Sequence, residues 1–306
     1  MGAVIVVRSL EKAEDPSNYE TGINSIRVCM SCSGWHNGRG YSLEIRQITD
    51  CIASMQITTR IQIVWAMVTI TSLSFLPFAS ANHHASHLEP GFKSLFNGKD
   101  LAGWTGNLNL WSVEDGAITG KTGETSKNKL THNTFIIYTG GSVDDFELRL
   151  KYRIENGNSG IQYRSNVLSE GEFGPIVGGY QADFEAGTTY SGILYEEKGR
   201  AILAKRGQVT KILTNPDNPK KPIVQVIGSV GETEDIQSVI KSEDWNDYTI
   251  IANGNQLTHI INGRVTVSVI DEDMTGSSKS GVLALQIHVG PVMTVQFKDI
   301  RIREIK

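Results

Sequence analysis

The chain has 306 residues, of which 39% are hydrophobic and 20% charged, and its formal net charge is −4. These values argue against a fibrous or largely disordered chain and are typical of a globular protein that can bury a sizeable core. Because the chain is slightly acidic and has no Lys/Arg-rich run, it lacks the basic surface that phosphate backbones require, and we expect no nucleic-acid partner.

Residues 1–54 hold all three cysteines of the chain and show no sustained hydrophobic period. Cys29 and Cys32 form a lone CxxC motif with His36 nearby, but no second pair of ligands follows at the spacing of a tetrahedral zinc site. We therefore predict no metal site in this region. The rest of the chain contains neither a thiol nor a disulfide.

A hydrophobic segment that begins after Arg60 predicts the compartment in which the protein works. It follows Met55, is mainly apolar over residues 61–78 and ends in Ala79-Ser80-Ala81, which is the pattern of a secretory signal. The sequence therefore predicts a signal peptide over residues 55–81 and export to the periplasm or the extracellular space. An uncleaved anchor is the alternative, but Thr, Ser and Pro residues weaken the stretch, and we expect no stable membrane span after cleavage.

The domain organisation follows from this segment. Since a signal normally stands at the N-terminus, Met55 is the predicted start, and residues 1–54 are predicted to be a mis-called or disordered extension. Residues 82–91, which include three histidines, are predicted to be a flexible linker. Residues 92–306 then form the exported domain.

The exported domain has the pattern of an all-β protein, with short β-branched and aromatic runs between Gly, Asn and Asp clusters. The clearest strand covers residues 146–154, where apolar and charged side chains alternate. Asn262-Gly263, between two apolar runs, predicts a tight hairpin. Strands are also expected over residues 281–289 and 295–305, and we expect the first and last strands of a two-sheet sandwich to lie near one another.

Polar side chains share one face on three of the predicted strands. By alternation these groups are Gln162 with Arg164, Gln181 with Asp183 and Glu185, and Gln286 with His288. Such groups suit a sugar, because each hydroxyl both donates and accepts a hydrogen bond. Aromatic residues that could stack on a sugar ring are Trp104, Trp111, Tyr190 and Trp245. The alternative is that these are simply the solvated faces of antiparallel strands.

Ordered motifs along the domain carry a resemblance to a known family. They are FKSLFNGKDLAGW (92–104), NSGIQYR (158–164), GYQAD (179–183), GILYEEKGR (192–200), WNDY (245–248) and the segment 281–302. Together they resemble the 3-keto-disaccharide hydrolase family over essentially all of residues 92–306. The resemblance implies a concanavalin A-like jelly-roll sandwich of two antiparallel sheets. It also implies action on glycosides whose C3 hydroxyl has been oxidised to a ketone.

The strand from Gln181 to Glu185 is also similar to the Glu-x-Asp-x-Glu strand of the laminarinase and lichenase glycosidases, in which the first Glu is the nucleophile. Gln181 stands in that position, and an amide cannot form the glycosyl ester. A 3-keto substrate needs no such ester. Its ketone acidifies the C2 proton, and the resulting enolate can expel the C1 oxygen before water adds.

This chemistry and the resemblance together indicate candidate site residues. His288 is the candidate base, because an imidazole titrates near neutrality, although a surface histidine is the alternative. Arg164 and Gln162 could stabilise the enolate oxygen. Asp183 or Glu196 could protonate the leaving group or hold a divalent cation that polarises the ketone. The further candidates, for substrate binding, are Gln181, Glu185, Gln286, Asn158, Arg200 and Trp245.

Some of these histidine and arginine assignments have structural alternatives. Arg200 could pair with an acid instead of touching substrate, and His259 is expected to be a hydrogen-bonded core residue. His132 lies in a polar loop and receives no role. The predicted function is an exported enzyme that cleaves 3-keto-glycosides by hydrolysis or by elimination and hydration. The alternative is a non-catalytic carbohydrate-binding module, and the sequence leaves the oligomeric state open.

Overall fold

The computed structural model describes residues 89–218 and 220–306. The predicted extension (1–54), the predicted signal peptide (55–81) and most of the predicted linker (82–91) lie outside the described residues. The described part forms strands and one short helix, α1 (Thr233–Gln237). In it, no helix is long and apolar enough to cross a membrane.

The strands belong to two sheets. In chain order they are β1 (Lys93–Ser94), β2 (Trp104–Thr105), β3 (Trp111–Glu114), β4 (Ala117–Lys121), β5 (Thr134–Tyr138), β6 (Phe146–Glu155), β7 (Asn158–Gly171), β8 (Gly174–Glu185), β9 (Leu194–Glu197), β10 (Ala201–Ala204), β11 (Gln208–Leu213), β12 (Ile223–Ser229), β13 (Asn246–Asn253), β14 (Gln256–Ile261), β15 (Arg264–Glu272), β16 (Val282–Ile287) and β17 (Thr294–Glu304). The ten-stranded sheet has the order β12-β11-β15-β14-β13-β6-β17-β4-β3, with β1 also paired to β17. The seven-stranded sheet has the order β10-β9-β8-β7-β16-β5-β2.

The core lies between the facing surfaces of the two sheets. On β6, alternate residues from Phe146 to Ile154 are buried, whereas Arg149, Lys151 and Arg153 on the opposite face are only partly buried. Tyr152 of this strand meets Phe184 of β8 with their ring centroids 4.0 Å apart, so the two sheets pack face to face. The predicted all-β jelly-roll sandwich of two sheets is thereby confirmed.

The sheets are antiparallel with one exception. β11 pairs with β15 in parallel, from Val209 opposite Ser268 to Leu213 opposite Glu272. The sheets are thus antiparallel apart from this pair. The chain reaches β11 from β10 of the other sheet, so the direction of β11 is not set by a hairpin with its neighbour.

Two local predictions about strand connections are confirmed. Asn262 and Gly263 join β14 to β15 with φ angles of 48° and 79°, the positive values that a type I′ turn requires. β1 pairs with β17 through Lys93 opposite Ile302, so the first and last strands are neighbours.

The long hairpin of β7 and β8 bends over one end of the seven-stranded sheet. Register shifts follow Tyr163 and Val167 in β7, and such bulges bend a strand. The carbonyl oxygen of Phe173 at the hairpin tip accepts a hydrogen bond of 2.8 Å from the Thr134 hydroxyl on β5. The tip of the hairpin therefore lies against the start of β5, where the rings of Phe173 and His132 meet with their centroids 5.6 Å apart.

Candidate functional site

A cavity of about 570 Å³ opens on the polar face of the seven-stranded sheet. Its volume lies within the range of ligand sites in proteins. The residues that line it come from β7, β8, β9, β10, the loops after β8, β9 and β16, and the segment before β5: Thr131, His132, Asn133, Asn158, Gln181, Asp183, Glu185, Tyr190, Ile193, Tyr195, Glu197, Lys198, Ile202, His288 and Val289.

A chain of hydrogen bonds leads across three neighbouring strands to Asp183. The Ser165 hydroxyl donates to Gln162 Oε1 over 2.7 Å, and Gln162 Nε2 donates to Gln181 Oε1 over 2.6 Å. Gln286 Nε2 donates to the same Gln181 oxygen over 2.9 Å. Gln181 Nε2 then donates to Asp183 Oδ1 over 2.9 Å. In this arrangement each amide donates toward Asp183, and the Asp183 oxygen at the end of the chain accepts.

Gly160 makes room for this arrangement. It lies on β7 opposite Asp183, between Asp183 and the strand that carries Gln286. A Cβ atom at this position would stand 2.4 Å from Gln181 Cγ, which is closer than carbon atoms approach. The missing side chain therefore lets Gln181 cross β7 and reach Gln286.

Asp183 is buried and has an unusual proton affinity. Burial, together with the nearby charges of Glu185 and Glu197, raises its pKa to about 7. Hydrogen bonds from Gln181 and from Asn158 Nδ2, the latter 3.4 Å long, oppose this increase. The carboxyl group can therefore exchange a proton near neutral pH, as a general acid or base must.

His288 follows β16 and is fixed at the cavity wall. Its Nδ1 lies 2.5 Å from the carbonyl oxygen of Val289, which can only accept. Nδ1 must therefore carry a proton, and in the neutral ring Nε2 has a free lone pair. The Val289 N–H donates to Asn133 Oδ1 over 2.9 Å, and Asn133 Nδ2 donates to Glu197 Oε1 over 3.3 Å.

The structure thus adds His132, Asn133, Tyr195 and Glu197 to the residues predicted from sequence. His132 and Asn133 reach the cavity because β5 pairs with β16, which sets Thr134 opposite Ile287. On β9, Tyr195 lies opposite Gln181, so Tyr195 and Glu197 share the cavity face. Alternation in the GILYEEKGR motif shows that Tyr195 and Glu197 share one face of β9. Only the register with β8 shows that this face is the one at the cavity.

Glu196 and Arg200, predicted as site residues, lie instead in a buried ionic cluster with Asp271 and Asp273. Arg200 Nε donates to Glu196 over 2.6 Å, and the two other guanidinium nitrogens contact Asp271 and Asp273 over 2.8 and 3.1 Å. All four residues are less than 10% exposed. The structure does not bring Glu196 or Arg200 to the cavity, because the β8–β9 register turns Glu196 to the opposite face from Glu197.

Arg164 also lies away from the cavity, and the expectation that it shares a face with Gln162 is wrong. Arg164 has a φ angle of 47° at the bulge in β7, which interrupts the alternation. Its guanidinium donates to the Asp144 carbonyl over 2.7 Å, to the Gly254 carbonyl over 2.8 Å and to the Asp145 carboxylate over 2.6 Å. With a longer bond of 3.5 Å to the Ser278 carbonyl, the side chain joins three loops.

The aromatic residues proposed for stacking are mostly placed elsewhere. Trp104 and Trp111 are 6% and 1% exposed and belong to the core. Trp245 lies beside Arg153 and Lys298, with the Lys298 ammonium 3.9 Å from its ring centroid, on the outer face of the ten-stranded sheet. Only Tyr190 of the four lines the cavity.

Two further expectations are resolved by the surroundings of the side chains. His259 is a core residue as predicted: its Nε2 lies 3.0 Å from the Tyr163 hydroxyl, and burial lowers its pKa to about 3. Glu185 lines the cavity, but its Oε1 accepts hydrogen bonds from the backbone N–H groups of Thr189 and Tyr190 and so holds the β8–β9 loop. In residues 89–218 and 220–306, no three His, Cys, Asp or Glu side chains are grouped to hold a metal ion.

Comparison with known proteins identifies relatives of the domain. The family model of the 3-keto-α-glucoside-1,2-lyase-like domain matches residues 91–303. Among curated proteins no match was found.

Several solved structures resemble the chain at low sequence identity. A "putative glycosyl hydrolase" from Parabacteroides distasonis is 21% identical, with 71% of this chain and 94% of that chain covered and a TM-score of 0.44. A carbohydrate-binding module from Bacillus subtilis, CBM66, is 13% identical, with 66% and 96% covered and a TM-score of 0.38. A galectin-like protein of unknown function from Bacillus subtilis is 10% identical, with 70% and 94% covered and a TM-score of 0.44.

Proposed function

We propose that this chain, which belongs to the 3-keto-α-glucoside-1,2-lyase-like domain family, cleaves 3-keto-glycosides by eliminating the group at C1 and then adding water. The family makes the domain a carbohydrate-active sandwich. The observation that carries the proposal is the Asp183 carboxyl, which has a pKa of about 7 in a sugar-sized cavity. Its neighbour Gln181 cannot serve as a glycosidase nucleophile, which supports a route without a glycosyl ester.

In this route His288 is the base. Its Nε2 takes the C2 proton, which the adjacent C3 ketone has made acidic, and the electron pair of the C–H bond forms the enolate. The hydrogen bond from Nδ1 to the Val289 carbonyl holds the ring in the tautomer that this step needs. The dipole of this carbonyl stabilises the positive charge that then forms on the imidazole.

Asp183 is the acid that assists the leaving group. When the enolate collapses, the C1–O bond breaks, and the departing oxygen takes the proton of the Asp183 carboxyl. At neutral pH a substantial fraction of this carboxyl is protonated, because its pKa is about 7. An aspartate with the ordinary pKa of about 4 would rarely carry the proton.

Tyr195 is the proposed donor to the enolate oxygen. Burial, with the charges of Glu197 and Asp183 nearby, raises the pKa of its phenol, so the hydroxyl stays protonated and can donate. Gln162 and Arg164 do not take this role, since Gln162 is fully buried and Arg164 lies away from the cavity. Asn158 and Tyr190 remain at the wall for contacts with sugar hydroxyls and ring faces.

Water addition reverses the proton transfers. Asp183, now ionised, accepts a proton from a water molecule while the oxygen of that water attacks C1. His288 then returns a proton to C2. The product is the free 3-keto sugar, and both side chains regain their initial states. No cation is needed to balance these steps.

The decisive experiment incubates the full chain with a 3-keto-disaccharide in deuterated water. We expect cleavage with deuterium at C2 of the released keto sugar, seen by NMR. Asp183→Asn should stop cleavage, whereas Glu196→Gln, a carboxyl-to-amide change outside the cavity, should leave it. Cleavage without label at C2 would contradict the elimination, and saturable binding without any cleavage would favour a carbohydrate-binding module.

We also propose that the domain is exported after cleavage behind Ala81, as the hydrophobic segment predicts. The support is the sequence over residues 55–81. Mass spectrometry of the native protein should find Asn82 as its first residue. Recovery of peptides from residues 1–54 would contradict the predicted start at Met55.

A further inference from the structure

The ten-stranded sheet ends in an unusual edge strand. Within residues 89–218 and 220–306, β12 pairs only with β11, and all seven of its residues are exposed. Its apolar side chains are between 40% and 54% exposed: Ile223, Val224, Val226 and Ile227. The strands that end the sheets elsewhere, β2, β3 and β10, have four residues or fewer. A long apolar edge is one that proteins normally cover, because its free N–H and C=O groups invite another strand.

The sequence of β12 is symmetrical. Ile223-Val-Gln-Val-Ile227 is the same in both directions about Gln225. An antiparallel pair of two such strands centred on Gln225 sets Val224 opposite Val226 of the second copy. It also sets Ile223 opposite Ile227 of the second copy. β-branched residues opposite one another are favourable cross-strand pairs, and a two-fold axis makes each pair occur twice.

The charges around β12 favour the same arrangement. Lys220 and Lys221 stand just before the strand, and Glu232, Glu234 and Asp235 follow it. In an antiparallel pair centred on Gln225, Lys221 of one copy lies beside Ser229 of the other, so the lysines of the two copies stand at opposite ends of the pair. A parallel pair would bring like charges together.

The bulge in β12 leaves the centre of this pairing regular. The register with β11 shifts between Val209 and Thr210, which leaves Ile227 without a partner there. From Ile223 to Val226 the pairing with β11 is continuous. Gln225 therefore lies in the straight part of the strand.

We propose that β12 pairs with β12 of a second copy of this chain, antiparallel and centred on Gln225, so that two ten-stranded sheets become one continuous sheet. The cavity lies on the other sheet and stays open in such a dimer. The occupant of the edge is thus this chain itself.

Analytical ultracentrifugation of the full chain tests the proposal. The unsubstituted chain should sediment as a dimer at micromolar concentration. V224K/V226K should raise the dimer dissociation constant by ~100-fold or more, because lysines then face one another at both cross-strand positions. V224K/V226E should remain dimeric, since each introduced lysine then faces an introduced glutamate of the second copy.

The mixture of V224K/V226K with V224E/V226E supplies a further test that does not depend on one variant. The two should form a mixed dimer although each alone is monomeric. Circular dichroism checks that all variants are folded, and their exposed positions make folding expected. A chain that stays monomeric at millimolar concentration would overturn the proposal and leave the edge to another protein. Equal loss of dimer in V224K/V226K and V224K/V226E would overturn the register about Gln225.

Discussion

Asp183 and Asp273 are both buried carboxyl groups of the sandwich, but their surroundings shift their pKa values in opposite directions. Neutral amides and two nearby carboxylates surround Asp183, and burial raises its pKa to about 7. Burial would also raise the pKa of Asp273, but hydrogen bonds from Thr275 and the positive charge of Arg200 outweigh it, so this pKa is lowered. A buried acid paired with a cation keeps its negative charge, whereas one among amides and other carboxylates can exchange a proton near neutral pH.

The largest expected effect comes from removing the exchangeable proton. Asp183→Asn keeps the shape of the side chain but cannot protonate a leaving group, so kcat on a 3-keto-disaccharide should fall by ~10³-fold. Steady-state kinetics measure it. Glu196→Gln in the ionic cluster is the matched control and should change kcat by less than ~3-fold, as a group outside the cavity. Equal losses in both variants would show that the two carboxyls are not functionally distinct.

The next effect is on stability and comes from the ionic cluster. Arg200→Leu leaves Glu196, Asp271 and Asp273 without their cation and should lower the free energy of unfolding by ~3–5 kcal/mol. Urea denaturation measures it. Gln286→Leu is the comparison in the amide chain. Gln286 Oε1 has no hydrogen-bond partner among the described residues, and in the variant Gln181 keeps its bond from Gln162. The free energy of unfolding should therefore fall by less than ~1 kcal/mol.

The two aspartates should also differ in how stability depends on pH. A raised pKa means that folded Asp183 keeps a proton that the unfolded chain releases, so its contribution to stability is lost as the pH rises through about 7. Relative to Asp183→Asn, the unsubstituted chain should therefore lose ~2 kcal/mol of stability between about pH 5 and pH 7. Urea denaturation at several pH values checks this.

Asp273→Asn should show the opposite sign. The lowered pKa of Asp273 stabilises the fold above the ordinary pKa of an aspartate, and that contribution disappears as the pH falls through the lowered value. The destabilisation by Asp273→Asn should thus be largest at neutral pH and shrink in acid. The same sign for both variants would contradict the opposite shifts.

The smallest expected effect is on the pKa of Asp183, which two neighbouring side chains shift. Asn158→Ala removes a hydrogen bond that lowers the pKa of Asp183, and Glu197→Gln removes a charge that raises it. The basic limb of the kcat/KM profile, where Asp183 loses its proton, should move up in the first variant and down in the second. Each shift should be less than ~1 pH unit. Shifts in one direction for both would separate this limb from Asp183.

The strands and faces of this fold were within reach of the sequence, because alternation and turn chemistry are local. The alternation in β6 and the Asn262-Gly263 turn predicted their elements correctly. Alternation places Gln162, Gln181 and Gln286 on the polar faces of their strands, and the structure joins the three in one hydrogen-bonded chain.

The misplaced site residues share a physical cause. The bulge at Arg164 interrupts the alternation of side chains along β7, and no local sequence pattern predicts this bulge. The choice between Glu196 and Glu197 depended on the β8–β9 register, and His132 reached the cavity through the pairing of β5 with β16. Register and strand order are set by contacts between distant parts of the chain, which alternation does not encode.

The central place of β17 has a consequence for the biosynthesis of the domain. β17 lies between β6 and β4 and also pairs with β1, so three earlier strands lack a pairing partner until β17 is made. A ribosome delivers β17 only after the other described strands, and until then one edge of β4 and one edge of β6 stay unpaired. The ten-stranded sheet can therefore close only after Glu304 has left the ribosome, and a nascent chain halted before Thr294 would remain without a completed core.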